Sequence, residues 1–112
     1  MATKQQRRLY QQAVKEIVEA LKTYDPEKII LFGSAAGGKF HEDSDVDLLV
    51  IKDTNEPFWK RQIHATLLYE GLIPTDIFVV TPKELNKAID ENRFFVTEEI
   101  LKKGKVIYEK RH

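Results

Sequence analysis

The chain has no cysteine. That excludes a disulfide scaffold, a thiol nucleophile and every zinc site built on thiolates, and it fits a reducing compartment. Neither sign of charge is in excess, since eighteen basic and eighteen acidic residues cancel. The chain therefore lacks the basic surplus with which a protein blankets a nucleic-acid backbone, and nucleic acid is not expected as a direct substrate. Its three histidines are scattered without zinc-site spacing. No apolar run approaches the ~18 to 20 residues that span a bilayer, and the opening MATKQQRRLY has no apolar signal core. A soluble, cytoplasmic protein with no membrane partner is the expectation. What is present, 112 residues of which 42% are hydrophobic, is enough chain for one independent core. No repeat, low-complexity tract or linker divides it, so residues 1–112 read as a single domain.

Apolar residues recur at three- and four-residue steps from Gln5 to Leu21, the signature of an amphipathic helix. Asp25-Pro26 interrupts it, and Lys28 to Phe32 follows as a short buried strand that stops at Gly33. The run Asp45 to Ile51 starts by alternating and ends continuously apolar, so its far end is expected to be buried on both faces. Asn55-Glu56-Pro57 supplies a capped start for a helix from Phe58 to Tyr69, and Gly71 ends it. Thr75 to Val80 reads as a third strand, and Thr81-Pro82-Lys83-Glu84 as a cap and first turn leading to about Ala88. A last helix from Phe94 to Lys103 ends at Gly104, before a short edge strand at Val106 to Tyr108. The expected architecture is α/β, a small mixed sheet flanked by helices.

Asp45 and Asp47 are the most informative pair, because alternate residues of a strand point to one face. Two carboxylates brought together call for a counter-charge, and hard oxygen ligands suit Mg²⁺. Taken alone, D-x-D is better read as solvated or capping residues at a strand start. Asp76 opens another strand with a similar apolar continuation, so if the two strands are neighbours in register the carboxylates converge. A trio of that kind can hold two metal ions about 3.5 to 4 Å apart for an in-line phosphoryl or nucleotidyl displacement. Taken alone, Asp76 is better read as a helix- or turn-capping residue after Pro74. Gly33-Ser34 lets backbone approach an anion closely and offers a hydroxyl and N–H donors, although a plain strand-to-helix turn explains it too. GSAAGGKF has neither P-loop nor G-x-G-x-x-G spacing.

Taken together, Gly33-Ser34, ten residues, then Asp45-Val46-Asp47 resembles the G-S-x10-D-x-D signature of the polymerase-beta-type nucleotidyltransferases, above all their minimal branch. Ile29 to Phe32 before the motif, Ser44, Asp76 and the ending Gly104-x-Val106-Ile107-Tyr108-Glu109 extend the resemblance over about residues 5 to 110. It implies that fold, and Mg²⁺-dependent transfer of a nucleoside monophosphate, usually from ATP, to an acceptor hydroxyl. Asp45, Asp47 and Asp76 would be the catalytic and metal-binding residues, with two Mg²⁺ ions, and Gly33 and Ser34 would hold the triphosphate. The minimal branch is often paired with a helical HEPN toxin, which the transferase, as antitoxin, can adenylylate on a tyrosine. The alternatives are a non-catalytic module that binds nucleotide or partner, and a transferase acting on a small molecule of the aminoglycoside type. One departure bears on these: Ala35, Gly37 and Gly38 stand where many minimal members carry arginines. Lys39 or a partner's side chain would then have to balance the phosphate charge.

The remaining residues have plainer expected roles. His41 is read as a solvated loop residue, His64 sits mid-helix, and His112 has no evident partner. Phe58, Trp59, Ile63, Leu67 and Leu68 are read as helix-packing residues rather than a base-stacking platform. Phe94 and Phe95 are adjacent, so they cannot both face one core, and one of them is a candidate for a partner surface. Lys4, Arg7, Arg8, Lys110 and Arg111 are read as solubilising ends.

Overall fold

The computed structural model describes residues 4–33, 36, 46–69, 71 and 73–111. Helix α1 spans Lys4–Lys22 and buries Tyr10, Ala13, Ile17, Val18 and Leu21, the inward stripe that its periodicity predicts. Asp25, at φ 57°, turns the chain in the left-handed region ahead of the buried Pro26. Strands β1 (Lys28–Phe32) and β2 (Val46–Ile51) pair antiparallel, and β2 pairs parallel with β3 (Thr75–Val80). The connection from β2 to β3 is helix α2 (Phe58–Leu68), since a parallel pair needs a crossover. Strand β4 (Lys105–Glu109) lies antiparallel to β1, which completes the order β3-β2-β1-β4 with the last strand at an edge, as its sequence suggests.

The sheet has two covered faces. Ile29, Leu31, Leu48, Val50 and Val79 pack beneath α1 and α2 with Ile17, Leu21 and Ala65. Ile30, Phe32, Leu49 and Ile51 pack on the other side with Leu85 of α3 (Pro82–Asp90) and Ile100 of α4 (Phe95–Lys102). The continuously apolar end of β2 is thus buried because successive residues enter different cores. Helix α3 starts at a capping box: Thr81 Oγ1 accepts from Glu84 N–H, and Glu84 Oε1 accepts from Thr81 N–H. Helix α4 is wound wide, as a π-helix, and Lys103 N–H bonds back to Glu98 O at its end.

Three expectations need correction. Helix α2 has no side-chain cap; Pro57 occupies the cap position, and Thr54 Oγ1 instead accepts from Glu56 N–H one turn earlier. Phe58, Trp59, Ile63 and Leu67 are exposed and do not pack the core. The inward face of α2 runs through Arg61, Ala65 and half-buried Leu68, because Arg61 brings its own partners. At 6% exposure it meets Glu84 twice, at 2.6 and 3.2 Å, and donates to Val79 O and Glu56 O. Lys110 is more than a solubilising end, since it pairs with Asp25 at 3.0 Å and its N–H bonds to Glu27 O, fastening β4 beside the start of β1.

Candidate active site

The register of the parallel pair builds the site. Val46 faces Thr75, Asp47 faces Asp76 and Leu48 faces Ile77, so the two aspartates sit side by side on neighbouring strands about 4.8 Å apart. Both project to the α3–α4 side of the sheet, the side of Leu49 and Val80. Asp47 is half-buried and Asp76 exposed. A further bond from Val46 N–H to Pro74 O continues the ladder past the first pair. Asp76 is therefore a strand residue in register with D-x-D, and the turn-capping reading falls.

Gly33 closes the other side. It ends β1 directly after Phe32, the antiparallel partner of Asp47, and takes φ 77°, a left-handed conformation that glycine adopts without penalty. A Cβ there would collide with Asp47 Oδ2. The backbone angle requires the glycine, and a side chain there would also push the Asp47 carboxylate out of its present position. Ser34 and Asp45 lie outside the described residues, as do Ala35, Gly37, Gly38, Lys39, His41, Ser44 and His112. Among the described residues no three His, Cys, Asp or Glu side chains cluster as a metal site. The carboxylate pair Asp47 and Asp76 is what the described residues contribute.

An aromatic border adjoins the pair. Phe78, two residues beyond Asp76 on the same face, is 44% exposed, and its ring centroid lies 6.2 Å from that of Phe32. Phe95 of α4 stands edge-on to Phe32 at 5.9 Å. Phe94 and Phe95 are both exposed, so neither is committed to the core. The period-two step from Asp76 to Phe78 is legible in the sequence; the exposure of Phe78 is not. His64 of α2 lies 3.6 Å from Glu56 and edge-on to the Tyr24 ring. It belongs to the opposite end of the sheet, with the start of β1. No described helix is long and apolar enough to cross a membrane.

Comparison with known proteins agrees with this geometry. Residues 15–112 match the family model "Polymerase beta, Nucleotidyltransferase". Over 101 residues the chain is 34% identical to "Putative protein adenylyltransferase" of Methanocaldococcus jannaschii, covering 88% of this chain and 97% of that one. The crystal structure of "a putative nucleotidyltransferase from Sulfolobus solfataricus" superposes with a TM-score of 0.62 at 20% identity, over 88% of this chain and 79% of that one, and shares the fold. A chain in a crystal structure of a toxin-antitoxin with AMP-PNP superposes with a TM-score of 0.47 at 25% identity, over 87% and 73%. The mixed four-strand sheet with its flanking helices is thus the frame of a known family, and the chain belongs to the polymerase beta nucleotidyltransferases.

Proposed function

We propose that the chain is a Mg²⁺-dependent nucleotidyltransferase that moves AMP from ATP to a tyrosine hydroxyl of another protein, a HEPN-type helical toxin, and acts as its antitoxin. The observation that carries this reading is the in-register pair Asp47 and Asp76 beside the Gly33 turn. Two hard oxygen donors from adjacent strands, with Asp45 two positions before Asp47 in the sequence, are a donor set that fits Mg²⁺. Magnesium bound there supplies charge stabilisation to the attacking and leaving oxygens. A protein acceptor is supported by the 34% identical relative named as a protein adenylyltransferase.

The residues divide the work. Gly33 brings the backbone close to the triphosphate, and Ser34 adds a hydroxyl donor. Asp45, Asp47 and Asp76 would hold the cation, and Asp76 would also receive the phenolic proton. The tyrosine oxygen forms a bond to the α-phosphorus as the bond from that phosphorus to the bridging oxygen breaks. Pyrophosphate leaves with the electron pair of that bond, and the proton passes from Asp76 to solvent. The products are adenylyl-tyrosine and pyrophosphate.

A second reading, binding without turnover, has one observation in its favour: Ala35, Gly37 and Gly38 leave the loop without the arginines that would balance phosphate charge. Intact-mass spectrometry separates the two. The helical partner incubated with ATP, Mg²⁺ and the chain should gain one or more AMP units, and Asp47→Asn should abolish the gain. A stable complex that gains no mass would establish the binding module instead.

A further inference from the structure

Strand β3 is an edge strand, and among the described residues only half of its outer edge is closed. Val79 N–H donates to Gln62 Oε1 and Val79 O accepts from Gln62 Nε2, both at 3.2 Å, so a glutamine side chain stands in for a neighbouring strand. Backbone groups alternate in direction along a strand, so Thr75 and Ile77 point outward as Val79 does. Among the described residues nothing closes the N–H and C=O of Ile77 on that side. An open cleft of about 600 Å³ adjoins the edge here, its lining including Thr66, Tyr69, Ile73, Thr75 and Ile77. The free half of the edge is the half that carries Asp76.

We infer that the acceptor protein presents its tyrosine on an extended segment that adds to the free edge of β3 as a fifth strand. This inference rests on the transferase reading above. Adding a strand satisfies the open N–H and C=O of Ile77, which is how extended peptides bind sheet edges generally. Laterally adjacent residues of paired strands share a face. The segment's residue opposite Ile77 therefore enters the Thr66–Tyr69–Ile73 cleft, while its neighbours, opposite Asp76 and Phe78, fall on the carboxylate face. The Gln62 clamp at Val79 ends the pairing and so sets the register.

In-line chemistry selects the same side. With the pyrophosphate leaving toward Gly33 on β1, the nucleophile must approach from the opposite side of the α-phosphorus, which is the side of β3. Phe78 then gives the acceptor ring an aromatic neighbour. A phenol reaches across that ring toward the aspartates, whereas a serine hydroxyl stays close to its own strand. An apolar residue should stand next to the modified tyrosine, because the adjoining position fills a cleft whose walls include Ile73 and Ile77.

The test uses the full chain with ATP, Mg²⁺ and a pool of short N-acetylated peptides, each with a central tyrosine and randomised flanks. AMP addition is read by mass spectrometry. Modified peptides should carry an apolar residue beside the tyrosine. Methylating their backbone nitrogens one at a time should raise the acceptor KM at least about tenfold at alternate positions and leave the positions between unchanged. Thr66→Trp, at the exposed wall of the cleft, should raise KM for the same peptides with an unaltered melting temperature. Methylation effects without a two-residue period would overturn the inference. So would AMP transfer to the intact helical partner with none to any peptide, which leaves the transferase reading standing. Transfer to neither would overturn both.

Discussion

Removing the Arg61 side chain should be among the most damaging changes outside the carboxylate site. Its guanidinium ties α2, the end of β3 and α3 together across one edge of the sheet: Nε donates to Glu56 O at 2.8 Å, Nη1 to Val79 O at 3.2 Å, and Nη1 and Nη2 to the two Glu84 oxygens at 2.6 and 3.2 Å. Hydrogen bonds to charged groups contribute about 1.5 to 3 kcal/mol each, and breaking a fully buried pair costs about 3 to 5. Glu84 is 44% exposed, so solvent recovers part of its loss. Val79 O also keeps Gln62 as a donor. Arg61→Ala should then cost about 2 to 4 kcal/mol, enough to lower the melting temperature of a domain this size by roughly 10 to 20 °C.

Urea unfolding of wild type, Arg61→Ala, Glu84→Gln and the double variant measures the cost and the coupling between the two residues. The pH dependence gives a second reading. Glu84 is held below its ordinary carboxylate value first by the hydrogen bonds from Arg61, against the opposing effect of burial. The charged pair's contribution is therefore full above the unfolded carboxylate range and lost as pH falls through the lower folded value. The stability gap between wild type and Glu84→Gln should narrow below about pH 4.5. A cost under about 1 kcal/mol for Arg61→Ala, or a gap independent of acid, would refute the claim that this pair joins the helices.

Gly33→Ala should cost about 1 to 2 kcal/mol or more in urea unfolding, since the residue sits at φ 77° and its new Cβ meets Asp47 Oδ2. If Mg²⁺ and ATP bind as proposed, it should also weaken the melting shift they produce; an unchanged shift would separate the turn from the site. Gln62→Ala leaves the Val79 N–H without its acceptor and opens the closed half of the β3 edge. About 1 to 2 kcal/mol of destabilisation is expected, with concentration-dependent self-association in sedimentation velocity; a monomer of wild-type stability would show that Gln62 does not guard the edge.

Much of the frame was legible locally. The stripe of α1, the capping box at Thr81 and Glu84, the bounds of β3 and the stop at Gly33 each follow from a few consecutive residues, because helix period, cap chemistry and glycine freedom are short-range properties. The reading of α2 failed for a related reason. Its apolar residues Trp59, Ile63 and Leu67 form a helical stripe as regular as any core stripe, and nothing within the helix reveals that Glu84, 23 residues later, will make the face of Arg61 the buried one. Exposed apolar residues are common enough that such a stripe does not by itself choose its side.

By itself the sequence determined where helices and strands form, that Gly33-Ser34 and D-x-D stand at the spacing of a nucleotidyltransferase, and that no thiol or basic surplus offers another chemistry. Tertiary structure alone decided that Asp76 lies beside Asp47, that β4 closes against β1 instead of β3, and that among the described residues half of the β3 edge stays open beside the carboxylates. The division is physical. Propensity and periodicity act over a few residues, whereas strand order and register come from pairing and burial between segments tens of residues apart, and a shift of one residue would have turned Asp76 to the opposite face.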